Sequence, residues 1–497
     1  MQPEATFGDN NHGVEIGTFV DQSGRDYEAK AFSALQSLEP HAQNPRRYRV
    51  SQAHQESFQW IWDTEHPKLK FVSWLRSEEP IFWTSGKPGA GKSTLMRYLI
   101  ESKQTMNLLS GNSDATIIVH DFFHELGEMQ EKTFEGLLHA IVYQLLIGFQ
   151  EKNQAALSQL YGLLKPHLRL ATTSTYALPD EVLMTIPQKF VAECKETLGL
   201  YLFVDGFDEC HGDHWGQLDF LTDWVQSSSD KNLSVKACIA SRVEPEIELR
   251  LSNEPTLAIH QYTAKDISVY VSQKLGKAWV LMARQPHGTI ANYDQYLVDL
   301  VVEKARGVFI WVTIVVSQLV VAIEEEAELH DLHTLLADLP EGLEKLYASI
   351  IERIDPSFWH DTINFLRILQ AHNRIESVCA MTLLDFSAAV QDPKSAISCK
   401  AFFEEGFSIE DAGLSHRQCA QIRRRSQRSC RGLIEIEDTE DISSARVSLV
   451  HLTVEEYITR RQLFEKMLDK IDESRLRDPA IALMAMDLRL LKTRYDL

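Results

Sequence analysis

The sequence predicts an α/β fold, with a mostly parallel β-sheet flanked by helices around a phosphate-binding loop. Residues 86–93 fill the pattern G-x-x-x-x-G-K-[ST], between an apolar run at 81–83 and a helix-forming run at 95–100. A second apolar run, 200–205, ends in an acidic residue, as buried strands do beside ligands in α/β sheets. Strand-like and helix-like segments alternate around these two motifs, which favours parallel strands joined by crossover helices.

The remaining elements follow from hydrophobic periodicity and length. They are a strand at 115–123, helices at 133–147 and 150–175, a segment at 180–195 that leads into the second apolar run, and a strand at 235–241. Residues 1–47 are expected to form a loosely ordered leader with one helix at 27–38. Aromatic residues at helical spacing between 50 and 75 favour helix packing, although this segment is also a candidate to cover a nucleotide base. Beyond residue 262 helical patterns dominate, and short strand-like runs appear at 432–436 and 446–452.

The glycine-containing loop is predicted to bind the phosphates of a nucleotide. Its glycines let backbone N–H groups turn inward, and the following helix contributes its positive N-terminal end. Lys92 is placed to reach the β- and γ-phosphates, and Ser93 is placed to bind Mg²⁺. A chance glycine-rich turn is the alternative, which the strand and helix on either side disfavour. The predicted nucleotide contacts are Gly86, Lys87, Pro88, Gly89, Ala90, Gly91, Lys92, Ser93 and Thr94.

The acidic end of the second strand supplies the other candidate groups. Asp205 is predicted to hold Mg²⁺ directly or through water, together with Ser93. Asp208 or Glu209 would orient or deprotonate the attacking water. Because no guanine-reading motif of the type N/T-K-x-D follows, ATP and ADP are the expected nucleotides.

Composition limits the cellular locations and the classes of binding partner to be expected. The net charge of −21 argues against nucleic acid and against anionic lipid as partners. The seven cysteines form no C-x-x-C pair, and the N-terminus has no signal-like apolar run, so a cytoplasmic location is expected. The apolar run 307–323 is shorter than the roughly 20 residues of a membrane span, and three glutamates follow it. It therefore predicts a buried helix.

A cluster of arginines stands apart from this acidic composition. Its members are Arg417, Arg423, Arg424, Arg425, Arg428 and Arg431. We interpret it as a solvated helix face rather than as a nuclear signal or a nucleic-acid patch.

An ordered set of motifs resembles a known family, the fungal NACHT-type STAND (signal-transduction) NTPases with a nephrocystin-like N-terminal domain. The matching segments are GKPGAGKSTLM at 86–96, HDFFHELG at 120–127, LFVDGFDEC at 202–210, ASR at 240–242, YTAKDISVYV at 262–271, ARGVFIWVTIVV at 305–316, LPEGLEKLYASII at 339–351 and SLVHLTVEEYI at 448–458. They cover roughly residues 50–460 in the family's order.

The resemblance implies further roles for three residues. Arg242 matches a sensor arginine near the γ-phosphate, and Gly307 lies where a helical domain packs close to the nucleotide. His451 matches the winged-helix histidine that contacts the β-phosphate of bound ADP. The implied organisation is a leader at 1–47, an NTPase domain at 48–255, a helical domain at 256–345, a winged-helix-like domain at 346–465 and a helical tail at 466–497.

The expected function is therefore an ATP/ADP switch with slow hydrolysis that assembles with other protein chains after nucleotide exchange. A P-loop kinase or other phosphoryl transferase is the first alternative, and a catalytically weak scaffold is the second. The effector domain and repeats that many family members carry are not recognisable in this sequence.

Overall fold

A computed structural model of the chain shows the arrangement of these elements. It describes residues 46–50, 52–54, 56–110, 115–125, 129–168, 178–194, 196–226, 233–282, 295–374, 381–390, 412–437, 439, 441–460 and 476–495. The predicted helix at 27–38 lies outside the described residues, as does all of the predicted leader before residue 46.

A five-stranded parallel sheet forms the first half of the chain. Its strands are β1 (Ile81–Ser85), β2 (Ala115–Phe122), β3 (Leu198–Asp205), β4 (Leu233–Ser241) and β5 (Thr256–Ala258), in the spatial order β2-β3-β4-β1-β5. Ser85 pairs with Ser241, and Phe122 pairs with Asp205, so the carboxyl ends of β1 to β4 lie along one edge. The predicted α/β class is confirmed. β5 extends the sheet three residues past the predicted domain end at residue 255.

Helices cover both faces of this sheet. They are α1 (Arg46–Arg49), α2 (Phe71–Arg76), α3 (Lys92–Glu101), α4 (Lys103–Ser110), α5 (Phe134–Lys152), α6 (Gln154–Leu168), α7 (Asp180–Glu193), α8 (His214–Gln226) and α9 (Pro245–Leu251). Side chains alternate along each strand: Leu202 and Val204 of β3 pack into one hydrophobic cluster, while Tyr201 and Phe203 pack into another. Both faces of β1 and β3 are buried, which is why these strands are continuous apolar runs in the sequence.

The second half of the chain is mainly helical. Its elements are α10 (Ala264–Met282), α11 (Gln295–Ala305), α12 (Phe309–Glu324), α13 (Leu329–Ala337), α14 (Leu343–Glu352), α15 (Trp359–Arg374), α16 (Leu383–Val390), α17 (Ala412–Cys430), β6 (Ile434–Ile436), β7 (Val447–Leu449), α18 (Leu452–Arg460) and α19 (Pro479–Tyr495). The apolar run predicted as a buried helix is α12, whose residues lie in one large core cluster. Within the described ranges, no helix is both long and apolar enough to cross a membrane.

The described elements from α15 to β7 follow one another in the order of a winged helix. After α15, Thr382 makes a short antiparallel bridge with Arg446; α16 and α17 follow, and β6 and β7 form an antiparallel hairpin. The bridge is fixed by two backbone hydrogen bonds, from Leu383 N to Ala445 O (2.7 Å) and from Val447 N to Met381 O (2.9 Å). The winged-helix-like part of the predicted fold is therefore present, and His451 follows its last strand.

A tight turn holds the helical half against the sheet. Arg306 and Gly307 have φ values of 48° and 77°, in the left-handed region that favours glycine. A Cβ atom on Gly307 would lie 2.0 Å from the carbonyl oxygen of His260, so backbone packs directly against backbone. The Thr263 hydroxyl also donates to the Gly307 carbonyl oxygen at 3.3 Å.

We expect Gly307→Ala to lower the free energy of unfolding by at least about 2 kcal/mol, because it combines a positive φ with a backbone clash. Gly162→Ala is the matched control, since Gly162 lies inside α6 with no atom within 4 Å of a built Cβ. The control should stabilise the chain by roughly 0.5–1 kcal/mol. Chemical unfolding of both variants tests this, and equal midpoints would contradict the close approach at Gly307.

Candidate functional site

The phosphate loop joins β1 to α3 and touches the helical half of the chain. Gly89 has a φ of 70°, and a Cβ atom there would lie 2.4 Å from the Ile310 side chain. The backbone N–H of Ile310, at the start of α12, donates to the Gly89 carbonyl oxygen at 3.1 Å. The loop is therefore in direct contact with the region that the resemblance places near the nucleotide.

The two loop lysines have different surroundings. Lys92 Nζ folds over the loop and donates to the carbonyl oxygens of Gly86 (2.9 Å) and Lys87 (3.3 Å). Burial lowers the pKa of Lys92, while the carboxylates of Asp208 and Asp205 oppose that shift. The Lys87 ammonium group points elsewhere and donates to the Arg306 carbonyl oxygen at 3.1 Å. Of the two predicted contacts, only Lys92 directs its charge over the loop.

Asp205 ends β3 and is almost fully buried beside the loop. Its carboxyl group hydrogen-bonds with Ser93, and burial raises its pKa to about 6 against the opposing effects of Ser93 and Lys92. Its Oδ1 atom has no hydrogen-bond partner among the described residues. A serine hydroxyl and a carboxylate oxygen on adjacent elements are suitable ligands for Mg²⁺.

Asp208 and Glu209 follow a turn at Gly206 and have different hydrogen-bond partners. Both Asp208 oxygens bind Arg242, one through its backbone N–H (2.8 Å) and one through its Nε (3.2 Å). Glu209 Oε2 accepts the backbone N–H of Glu125 at 3.1 Å, and Oε1 lies 3.5 Å from Arg242. Burial raises the pKa of Glu209 to about 7, although nearby arginines oppose this. Asp208 is thus an anchor, whereas Glu209 has the pKa of a general base near neutral pH.

Arg242, at the end of β4, connects the sheet to the winged-helix region. Besides Asp208 and Glu209, its guanidinium contacts Glu456 of α18 at 3.1 Å. Burial alone would lower the pKa of Arg242, but Glu456 and the two core carboxylates raise it above its ordinary value. One cation therefore holds three carboxylates from both halves of the chain.

The structure brings His451 to the same place. Its Nδ1 accepts the backbone N–H of Thr453 at 3.1 Å, so in the neutral ring the proton is on Nε2. Burial and the positive charges of Arg46, Lys92 and Arg242 lower its pKa to about 3, which keeps the ring neutral. The Thr453 hydroxyl lies 3.0 Å from Nδ1 and 2.7 Å from the Tyr347 hydroxyl, and this chain of contacts fixes the ring orientation.

Two site residues were not predicted from the sequence. Glu456 lies within a quoted motif, but its partner is 214 residues away. Arg46 falls within the predicted leader, 1–47. The end of that leader needs correction, because α1 begins at Arg46 and packs on β2. The neighbouring Arg47 hydrogen-bonds with His120 and lies 3.7 Å from Glu101. The charge of Arg46 then acts on Asp205, Glu209 and His451.

The loop, the parallel sheet and the acidic strand end define the fold of a P-loop NTPase. A sequence model of the family described as nephrocystin 3, N-terminal, matches residues 56–242, from ahead of the loop to Arg242. This match supports the nephrocystin-like part of the resemblance over that range. A comparison with curated proteins gave no match.

Several solved structures are similar at low identity. They include Drosophila ORC bound to DNA (13% identity, 91% of this chain and 96% of that chain, TM-score 0.31), the ADP form of Aeropyrum pernix ORC2 (10%, 86% and 98%, TM-score 0.32) and Aeropyrum pernix ORC1 in complex with DNA (12%, 88% and 94%, TM-score 0.28).

The prediction that excluded nucleic acid as a partner was wrong to rest on net charge, and two of these structures are complexes with DNA. DNA binding is a property of those proteins. The physical error lay in the net charge, since the charge of a whole chain does not fix the potential of one surface.

The raised pKa of Glu209 predicts that the wild type and Glu209→Gln differ in their free energy of unfolding, and that this difference depends on pH. Above about pH 7 the folded chain holds an ionised, buried carboxylate that the unfolded chain solvates freely, so ionisation costs stability. Without nucleotide and Mg²⁺, Glu209→Gln should therefore be more stable than the wild type by about 1–3 kcal/mol at about pH 8.

That difference should shrink as the pH falls through about 7, because wild-type Glu209 then becomes protonated. Unfolding midpoints between about pH 5.5 and 8 test this. Glu65→Gln, at an exposed acid, is the control and should differ little from the wild type at any pH. A constant difference for Glu209→Gln would contradict the raised pKa.

Proposed function

We propose that this chain is a nucleotide-dependent conformational switch of the NACHT-type STAND class, which binds ATP or ADP with Mg²⁺ and hydrolyses ATP slowly. The observation that carries the proposal is the Arg242 cluster. Arg242 stands at the catalytic edge of the sheet, and Glu456 of the winged-helix region contacts it at 3.1 Å. A phosphate bound at that edge would compete with Glu456 for the same guanidinium.

Nucleotide binding is supported by the chemistry of the loop. Lys92 presents a partly buried cation over it, and α3 begins at the loop with its N–H groups directed towards it. Ser93 and Asp205 fit Mg²⁺, since they offer a hydroxyl and a buried carboxylate oxygen that lacks a partner among the described residues. Bound Mg²⁺ would supply charge neutralisation for the phosphates.

Slow hydrolysis follows from the state of the candidate base. Glu209, once ionised, would accept a proton from water at one of its carboxylate oxygens. In this closed arrangement Oε2 already accepts the Glu125 N–H, and Oε1 faces Arg242. The base is therefore engaged and partly protonated near neutral pH, which favours a switch over a rapid enzyme.

Two contacts would distinguish the diphosphate and triphosphate states. His451, neutral and protonated on Nε2, would donate to a phosphate oxygen in the closed form. Glu456 would be displaced from Arg242 when a third phosphate is present. Moving a population from 1:99 to 99:1 needs about 5.5 kcal/mol, and two charge-assisted contacts of roughly 1.5–3 kcal/mol each supply most of it.

We further propose that nucleotide exchange separates the winged-helix region from the NTPase core and exposes surfaces for other protein chains. The domain division predicted from the sequence fits this scheme, with the core extended to the end of β5 at Ala258. The leader would end before Arg46, which belongs with the core.

Glu456→Gln tests the switch. Losing the Glu456 charge should weaken the closed form, so we expect roughly tenfold faster ADP release and increased self-association with ATP. Stopped-flow release of labelled ADP and light scattering measure the two effects. Glu352→Gln, which removes an exposed charge from α14, is the matched control and should behave like the wild type.

Lys92→Ala should no longer retain nucleotide. Chromatography of the nucleotide released when the protein is denatured measures this. Unchanged ADP release in Glu456→Gln, with nucleotide binding intact, would sink the proposed role of the Arg242–Glu456 contact. Retention of nucleotide by Lys92→Ala would instead contradict the site itself.

His451→Ala should also speed ADP release, by roughly tenfold, because it removes one donor worth about 1.4 kcal/mol. ATP affinity should change less, since the contact belongs to the closed form. His416→Ala, at an exposed histidine on α17, serves as the control. An ADP release rate equal to that of the wild type would make His451 an ordinary packing residue.

A further inference from the structure

Helix α17 of the winged-helix region carries a row of exposed arginines that the switch does not use. Together with Arg431 directly after the helix, we call it the arginine stripe; its members are Arg417, Arg424, Arg428 and Arg431, with the exposed Gln421 between the first two. The spacing of four, three and four residues places Arg417, Gln421, Arg424 and Arg428 along one side of the helix, over roughly 17 Å. Arg431 directly follows the end of the helix, with a φ of 45°. Cys419, Ile422 and Cys430 lie on the opposite side and are buried in the core.

The stripe has no acidic partners within the described part of the chain. No described carboxylate lies within 4.0 Å of the guanidinium groups of Arg417, Arg424, Arg428 or Arg431. Arg425, beside the stripe, pairs with Asp361, and the nearby Asp441 faces His416 at 3.4 Å. The surface is therefore locally cationic on a chain whose net charge is −21.

We propose that the arginine stripe is a binding surface for the phosphate backbone of duplex DNA. This inference goes beyond the proposed switch and does not depend on it. Guanidinium groups favour phosphate because they offer several N–H donors in a fixed plane. The DNA major groove is about 12 Å wide and admits an α-helix, whereas the major groove of an RNA duplex is too narrow for one.

The residues around the stripe disfavour other partners. Protein interfaces are anchored by aromatic and apolar side chains, and lipid surfaces need apolar residues to insert. Single-stranded nucleic acid needs aromatic rings for base stacking. None of the large exposed apolar side chains of the described residues lies between Ala412 and Arg460. A rigid cationic row without an apolar anchor is typical of contact with a charged backbone.

The adjacent hairpin sets the limits of the contact. Glu437 and Asp441 lie in the connection between β6 and β7, so this hairpin does not extend the cationic surface. Binding would therefore rest on α17 and Arg431, with about four phosphates neutralised and little reading of sequence.

The full chain should bind a labelled DNA duplex of about 20 base pairs, measured by fluorescence anisotropy at several salt concentrations. Four contacts predict that log K falls with log salt with a slope of about −3.6. Arg424→Gln/Arg428→Gln should weaken binding at least tenfold at about 50 mM salt and reduce the steepness of that slope by about two.

Arg76→Gln/Arg353→Gln is the matched control, because it removes the same charge from two exposed arginines outside α17. It should leave affinity and slope unchanged. Arg417→Gln/Arg431→Gln provides a second stripe variant, and thermal unfolding verifies that each variant folds. ATP binding should be the same in every variant, which separates this test from that of the switch.

Three outcomes would overturn the proposal: no duplex binding at about 50 mM salt, equal losses in the stripe and control variants, or unchanged binding in both stripe variants. Duplex RNA, polyglutamate and anionic vesicles serve as competitors. If one of them binds through the same arginines as tightly as DNA does, the stripe has another partner and the assignment to DNA fails.

Discussion

The site depends on one partly buried cation, Arg242, that is shared among three carboxylates. Arg242 binds Asp208 and Glu209 from the sheet edge and Glu456 from α18. Buried charges are costly unless they are paired, and one guanidinium cannot neutralise three acids by itself. Lys92 and Arg46 supply the remaining positive charge, which acts on Asp205 and Glu209. One electrostatic balance thus links the loop, the sheet edge and the winged-helix region.

Local patterns explain why much of this architecture could be predicted. The loop motif needs only a strand before it and a helix after it, and β1 and α3 provide both. β3 is buried on both faces, so its sequence is apolar until Asp205. The apolar run of α12 is too short to span a membrane and too apolar for a solvent-exposed helix, so its sequence predicts a buried helix. Each inference used residues that are neighbours in the chain.

The residues that were missed depend on contacts between distant segments. Nothing near Glu456 indicates that it meets Arg242, and nothing in the polar leader indicates that Arg46 lies beside the acids of the sheet. The exclusion of nucleic acid failed for a related reason. Net charge averages over the whole surface, while a partner meets one face, and the exposed side of α17 is cationic on an acidic chain.

The proposed switch needs more than one contact, and the structure offers contacts of different kinds. The Ile310 N–H holds the Gly89 carbonyl, so the helical half is tied to the loop backbone. Glu456 is tied to Arg242, and His451 is held neutral near Lys92. A ligand shifts an equilibrium only through its different affinity for the two states. A third phosphate would act directly on the Arg242 contact, and the opening that follows would withdraw His451 from the phosphates. The Arg242 and His451 contacts would therefore discriminate between the two nucleotides together, while the loop contact sets how firmly the closed form is held.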